Sequence, residues 1–85
     1  LQQKEINIVM KVEIYSKPSC PYCVQAKNLA EQKGYDLTYK MLDEDFSREQ
    51  LFEQFPTART FPQIIVDGEK IGGFTEFRAL VNTLN

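Results

Sequence analysis

Positions 11–23 read KVEIYSKPSCPYC, and this segment contains the strongest strand and helix signals of the chain. Its first five residues, Lys11–Tyr15, are rich in β-branched and aromatic side chains, which predicts a strand that the following polar and proline residues end. Pro21 suits the first turn of a helix because its φ is already helical and its missing N–H has no partner there. The stretch therefore predicts a strand, a short loop and a helix with Cys20 as N-cap and Cys23 at position N3.

The rest of the chain extends this beginning with further helix and strand signals. They predict a first helix that ends at Gly34, a strand over 37–42, a helix with a Ser47/Gln50 capping box that stops at Pro56, strands Gln63–Val66 and Glu69–Ile71 around an Asp67-Gly68 turn, and a last helix capped by Thr75. The apolar residues expected to face the core from the helices are Val24, Ala26, Leu29, Ala30, Leu51, Phe52, Phe55, Phe77, Leu80, Val81 and Leu84.

This order of elements, βαβαββα, predicts an α/β fold with a mixed four-stranded sheet flanked by helices. A strand-helix-strand start gives a parallel pair with a right-handed crossover, and the closing hairpin adds antiparallel strands. We expect the domain to span 10–85, and 1–9 to be an N-terminal extension or a cloning remnant, because the chain begins without Met and Met10 stands just before the first strand.

Composition excludes several function classes. The 85 residues make one small domain, and a formal charge of -2 does not provide the basic face of a nucleic-acid binder. No apolar run approaches the length of about 18 residues that crosses a bilayer, so no membrane association is expected. The chain has no His, which excludes Ser-His-Asp triads, Cys-His proteases and imidazole zinc sites.

Cys20 and Cys23 are the only cysteines, and three roles are open to them. A zinc site needs four ligands, usually two such pairs, and no metal is expected here. A structural disulfide closing about four residues contributes roughly 1.9 kcal/mol, which is little. A redox-active dithiol is the preferred interpretation, since 14–30 contains no carboxylate while Lys17 and Lys27 flank the pair. A nearby cation and a helix N-terminus both favour the reactive thiolate.

The predicted topology brings distant segments to one edge of the sheet. Cys20 follows the carboxyl end of the first strand. If the third strand pairs antiparallel with the first, Thr60-Phe61-Pro62 starts at that same edge, and Gly72-Gly73 returns to it. Ligands in α/β folds bind at the carboxyl ends of strands. The sequence therefore predicts a binding site at this edge.

These residues resemble a glutaredoxin of the dithiol, CPYC type. The likeness rests on Lys17–Cys23, on Arg59-Thr60-Phe61-Pro62-Gln63 and on Ile71-Gly72-Gly73-Phe74, and it covers Met10–Leu84. It implies a thioredoxin-like fold and reduction of glutathione mixed disulfides and protein disulfides. Glutathione is then the reducing cosubstrate, and no bound cofactor is expected.

The resemblance also implies roles for both cysteines. Cys20 is the nucleophile that attacks the glutathione-side sulfur of a mixed disulfide, and Cys23 is the resolving thiol that protein disulfides require. This chemistry needs an accessible attacking thiolate and a second thiol within reach. Positions three apart share a helix face, which provides that proximity.

Each part of glutathione is expected to meet its own group of residues. The resemblance assigns the glycyl carboxylate to Lys17 and Arg59, with Gln54 a third candidate, and assigns Tyr22 to the wall of the site. The cysteinyl segment is expected to add to the backbone of Phe61 as a short strand, next to a cis proline. The residues implied for this segment and for the γ-glutamyl carboxylate, which binds helix N-terminal N–H groups, are Thr60, Phe61, Pro62, Gly73, Phe74 and Thr75.

Two positions depart from the family's common pattern. Phe61 stands where Val is usual. Thr75-Glu76 follows Phe74 where the family often has an aspartate that meets the γ-glutamyl ammonium.

The expected partners are glutathione and proteins that carry disulfides or glutathionylated cysteines, with a ribonucleotide reductase as one candidate. We expect a monomer in the cytoplasm, because the chain shows no export signal and no disulfide framework. An iron–sulfur cluster held by Cys20 and glutathione is an alternative, which Pro21 disfavours since relatives of that kind usually lack it. A thioredoxin-like carrier reduced by a flavoprotein is another, disfavoured because no Trp precedes the dithiol.

Overall fold

Four strands and three helices follow the predicted order in a computed structural model that describes residues 10–83. The elements are β1 Lys11–Ser16, α1 Pro21–Gln32, β2 Asp36–Met41, α2 Arg48–Gln54, β3 Gln63–Val66, β4 Glu69–Gly72 and α3 Phe74–Thr83. The expected extension over 1–9 and the predicted core residue Leu84 lie outside the described residues.

The four strands form one mixed sheet in the order β2-β1-β3-β4. β1 runs parallel to β2 and antiparallel to β3, and β3 runs antiparallel to β4. The predicted sheet is thus confirmed. Asp67 and Gly68, with φ of 50° and 85°, form the expected two-residue turn.

Alternation along the strands divides the core into two layers. Ile14 and Ile64 pack with the residues of α1 and α3 on one face of the sheet. Tyr15 and Ile65 point to the other face, where they meet Leu51 and other residues of α2 and its flanking loops. Successive strand residues face opposite sides, so each central strand is buried on both.

The helices begin as their local sequences dictate, with one exception. Ser47 and Gln50 form the complete capping box at the start of α2. The prediction that Thr75 caps the last helix is wrong, because α3 begins at Phe74. Gly73 is the residue that flanks the helix: its carbonyl accepts from the Phe77 N–H at 3.0 Å, which leaves Thr75 inside the first turn.

Two predicted core residues are instead exposed. Val24 is 49% exposed and Phe52 is 47% exposed. The buried stripe of α1 runs through Cys23, Ala26 and Ala30, which places Val24 beside it rather than within it. On the short α2, Leu51 is the buried position. Phe52, next along the helix, is turned by about 100° from Leu51 and so faces solvent.

Candidate active site

The two cysteines occupy the positions predicted for them. Cys20 is the N-cap of α1 and its sulfur accepts a hydrogen bond from the Cys23 N–H at 3.2 Å. The two residues form a disulfide with their Cα atoms 5.2 Å apart. Cys20 retains 7% exposure whereas Cys23 has none. A helix N–H directed at the Cys20 sulfur favours its ionised form when the pair is reduced.

This asymmetry predicts which cysteine of the reduced protein reacts first with an alkylating agent. We expect iodoacetamide to modify Cys20 at neutral pH well before Cys23, since Cys20 has both the exposure and the helix N–H donor. Peptide mass mapping at short times measures the order. In denaturant the two should react alike. Faster modification of Cys23 in the folded protein would contradict the assignment.

Strand register brings the predicted edge together. Tyr15 pairs with Gln63, which places Phe61 and Pro62 next to the carboxyl end of β1, and Ile64 pairs with Gly72. The Phe61–Pro62 peptide bond is cis, as the resemblance implies. The convergence expected from topology therefore occurs at the end of the sheet that carries the dithiol.

A groove of about 300 Å³ adjoins the dithiol segment through Tyr22. Tyr22, which stands between the two cysteines, is 60% exposed, and its ring stacks on Phe74 with the ring centroids 6.0 Å apart. Of the residues predicted to bind glutathione, the groove is lined by Tyr22, Thr60, Phe61, Pro62, Gly73, Phe74 and Thr75. The groove is thus lined by the aromatic rings of Tyr22, Phe61 and Phe74 and by the segment Thr60-Phe61-Pro62 that precedes β3.

Known proteins resemble this chain in sequence and in fold. A protein-family model described as glutaredoxin matches residues 12–71. The chain belongs to the glutaredoxin family. A glutaredoxin of Haemophilus influenzae is 44% identical over 79 residues, covering 85% of this chain and 91% of that protein. Glutaredoxin 1 of Escherichia coli is 39% identical over 79 residues, covering 85% and 93%.

Solved glutaredoxin structures agree with the fold. The crystal structure of glutaredoxin 1 from Francisella tularensis superimposes with a TM-score of 0.75 at 34% identity, covering 89% of this chain and 96% of that one. The chain is therefore a thiol–disulfide oxidoreductase with a thioredoxin-like fold and a CPYC redox pair. The family uses glutathione as cosubstrate and acts on glutathionylated or disulfide-bearing proteins. Among residues 10–83, no helix has the length and apolarity needed to cross a membrane.

The two cations predicted for the glycyl carboxylate lie at different places in this glutaredoxin. Lys17 Nζ is 5.8 Å from the centroid of the ring of Phe61, which lines the groove, but Lys17 itself is not one of the lining residues. Arg59 does not line the groove. It lines an adjoining basin of about 570 Å³, together with Gln54, and the two depressions share Thr60.

The junction between β4 and α3 holds a carboxylate next to the groove. Glu76 Oε1 accepts from the Gly73 N–H at 2.9 Å, so this N–H, predicted to bind an anion, already has a partner. Gly72 has a φ of 113°, and a Cβ there would approach Glu76 Cγ to 3.0 Å. Glycine is therefore required at position 72 for two reasons: its backbone is left-handed, and the Glu76 side chain packs against it.

Three residues at the site were missed by sequence reasoning. Glu76 lines both the groove and the basin. Lys70 lines the basin, where its Nζ donates to the Gln54 carbonyl, and Arg78 lies 5.7 Å from the centroid of the Phe74 ring. Glu three residues after Gly73 is a local capping signal that could have been found. Lys70 has no such signal, because Gln54 belongs to another element, whereas Arg78 lies four residues after Phe74 on α3, a helical spacing that could have been found.

A second charged cluster lies away from the groove. Lys40 Nζ donates to the Tyr15 hydroxyl at 3.3 Å and lies 3.6 Å from the Glu13 carboxylate. The hydrogen bond to Tyr15, followed by the charges of Tyr15 and Glu13, raises the pKa of Lys40, while burial opposes that rise. This cluster borders a depression of about 360 Å³ that has no residue in common with the groove.

Proposed function

We propose that this chain reduces glutathione mixed disulfides and protein disulfides with glutathione as the electron donor. The observation that carries the proposal is the groove of about 300 Å³ beside Tyr22, with backbone on one side and a helix N-terminus on the other. Glutathione is a tripeptide with a charged group at each end, and the aromatic side chains and backbone N–H groups that line this groove can hold such a molecule. Small ligands are typically held by apolar walls with a few placed polar groups.

Reduction of a glutathione mixed disulfide proceeds by two exchanges. The Cys20 thiolate attacks the glutathione sulfur, so that a Cys20–glutathione disulfide forms and the substrate leaves as a thiolate. A second glutathione thiolate then attacks the glutathione sulfur on Cys20. Oxidised glutathione leaves and the Cys20 thiolate is restored. Each step exchanges one S–S bond for another: the incoming glutathione is the only thiol consumed, and its sulfur is oxidised as the substrate sulfur is reduced.

Protein disulfides use the second cysteine. Cys20 first forms a mixed disulfide with the substrate protein. The Cys23 thiolate then attacks Cys20 Sγ, which releases the reduced protein and forms the Cys20–Cys23 disulfide. The separation of 5.2 Å between their Cα atoms is within the range that a disulfide requires. Two glutathiones reduce the pair again.

Glutathione orientation follows from the charges around the groove. We assign its glycyl carboxylate to Lys17, with Arg59 acting from the adjoining basin, and its cysteinyl backbone to Phe61. The γ-glutamyl carboxylate is assigned to the N–H groups of Phe74 and Thr75, which have no acceptor within a helix at positions N1 and N2. Glu76 lies in the first turn of α3 and lines the same groove, so we assign its carboxylate to the γ-glutamyl ammonium.

A donor experiment tests the proposal directly. The mixed disulfide of glutathione and 2-mercaptoethanol is supplied with glutathione, glutathione reductase and NADPH, and NADPH consumption is followed. We expect turnover that depends on both the protein and glutathione. A parallel reaction replaces glutathione and its reductase with thioredoxin reductase. Activity in that reaction alone would overturn the proposal in favour of a thioredoxin-like carrier.

We also infer a monomer that acts in the cytoplasm, with ribonucleotide reductase as one candidate among its protein substrates. The residues assigned to the cysteinyl and γ-glutamyl parts of glutathione line a single groove, so the proposed site needs no second copy of the chain. A reducing compartment is supported because the proposed cycle begins from the reduced dithiol. Light scattering of the reduced protein with glutathione checks the first inference. A colourless, iron-free preparation would argue against the alternative of an iron–sulfur cluster on Cys20.

A further inference from the structure

Phe52 is a large apolar side chain left open to solvent near the groove. Its exposed fraction is 47%, and the other large apolar residues exposed among 10–83 are Tyr22 at 60% and Val24 at 49%. Tyr22 lies between the two cysteines, and Val24 follows the second of them. A large apolar group left open to solvent next to a functional groove is a candidate contact for a binding partner.

Phe52 forms one side of a small pit that continues from the groove. The pit has a volume of about 80 Å³ and is lined by Arg48, Leu51, Phe52, Ala58, Arg59, Thr60 and Phe61. Its floor is apolar, since Leu51 is only 2% exposed. The volume equals that of about three water molecules in the liquid, which is room for one apolar side chain. Thr60 and Phe61 also line the groove, so the two depressions adjoin.

Positive charge surrounds the pit. Arg48 and Arg59 both line it and both are exposed. Within the described part of the chain neither arginine has an ion-pair partner, and no carboxylate lines the pit. Lys17 lies beyond it, over the Phe61 ring. This surface is therefore cationic in a chain whose formal charge is -2, and it complements an acidic ligand.

We propose that this pit is a docking site for a protein substrate, and that it binds an acidic segment with one apolar residue next to the reducible cysteine. The apolar side chain fills the pit against Phe52, and a carboxylate beside it pairs with Arg48, which has no part in the proposed binding of glutathione. The inference rests on the proposed function, because the segment is held while its cysteine reacts at Cys20. The surface would thus select among protein substrates without affecting small ones.

Peptides that differ only in the docking segment test this. Each carries one glutathionylated cysteine followed, a few residues later, by Asp-Asp-Leu-Asp-Asp, by Lys-Lys-Leu-Lys-Lys or by Asp-Asp-Ser-Asp-Asp. The parent protein is expected to prefer the acidic leucine peptide. Arg48→Glu should lower kcat/KM for that peptide about threefold to tenfold, because one surface attraction becomes a repulsion. Added salt should shrink the difference.

The variants are chosen to leave the fold and the chemistry intact. Arg48 is the first residue of α2, where a carboxylate is favourable to the helix dipole. Phe52→Ser should lower kcat/KM for the leucine peptide and leave the Asp-Asp-Ser-Asp-Asp peptide unchanged. Lys11→Glu is the matched control: it makes the same change in net charge at the start of β1, the end of that strand opposite the dithiol.

Failure of the docking site and failure of the proposed function give different results. The glutathione–2-mercaptoethanol disulfide has no docking segment, and its reduction by Arg48→Glu should equal that by the parent. If the parent reduces this small substrate but Arg48→Glu and Lys11→Glu affect the acidic peptide equally, the docking proposal is overturned alone. If the parent fails to reduce the small substrate with glutathione, the proposed function itself is wrong.

Discussion

Cys20→Ser abolishes reduction of both mixed disulfides and protein disulfides, whereas Cys23→Ser loses only the second activity. This is the largest effect expected from any single change. Cys20, at 7% exposure, is the less buried of the two cysteines, and its sulfur accepts the helix N–H, whereas a serine hydroxyl in its place is not ionised at neutral pH. We expect the loss in kcat/KM to exceed about a thousandfold.

Cys23→Ser removes a fully buried thiol that the mixed-disulfide route does not use. Glutathione-driven reduction of the glutathione–2-mercaptoethanol disulfide should therefore persist within a small factor of the parent. Reduction of an insulin-type protein disulfide should fall to background, because Cys23 is no longer present to attack the mixed disulfide between Cys20 and the substrate protein. Both assays are run on the same preparations.

The contrary outcomes are informative. If Cys23→Ser were inactive on the small mixed disulfide while the parent stayed active, the buried cysteine would take part in every cycle and the monothiol route would be wrong. If Cys20→Ser kept activity on it, the nucleophile would be misassigned. Circular dichroism of both variants shows that any loss is chemical and not a failure to fold.

Phe77→Ala is expected to cost about 3–5 kcal/mol in the free energy of unfolding. Phe77 is completely buried, on α3, among the residues that join α1 and α3 to the sheet. Truncation to Ala removes most of the ring and leaves a cavity that the sheet cannot close. Because a small domain has only about 5–15 kcal/mol in total, this one change brings the protein close to unfolding.

Phe52→Ala is the matched control, since it is the same substitution on a helix at a residue that is 47% exposed. Its expected cost is below about 1 kcal/mol. Urea denaturation of the oxidised forms measures both costs with the disulfide intact. Similar costs for the two substitutions would contradict the assignment of Phe77 to the core and of Phe52 to the surface.

Local signals predicted the elements of this glutaredoxin well where a few adjacent residues decide the outcome. The Ser47/Gln50 capping box, the Asp67-Gly68 turn and Cys20 as N-cap are all present. Each depends on side-chain and backbone preferences within about four residues, so no tertiary information was needed.

The start of α3 was mispredicted because two caps compete there. Thr75 has the better capping side chain, but the pairing of Ile64 with Gly72 extends β4 until only Gly73 remains before the helix. The Glu76 side chain then caps the Gly73 N–H from within the helix. Strand pairing thus overrode the local preference.

The order of the elements, the mixed sheet and the dithiol at a helix N-terminus could all be predicted from the sequence, because they follow from local preferences and from the handedness of strand connections. The packing of the elements, and not the helical pattern, left Val24 and Phe52 exposed although both were predicted to face the core. It also decided that Tyr22 stacks on Phe74 and that Arg48, Phe52 and Arg59 surround one pit. Such contacts join elements distant along the chain, and the packing of those elements against each other sets them.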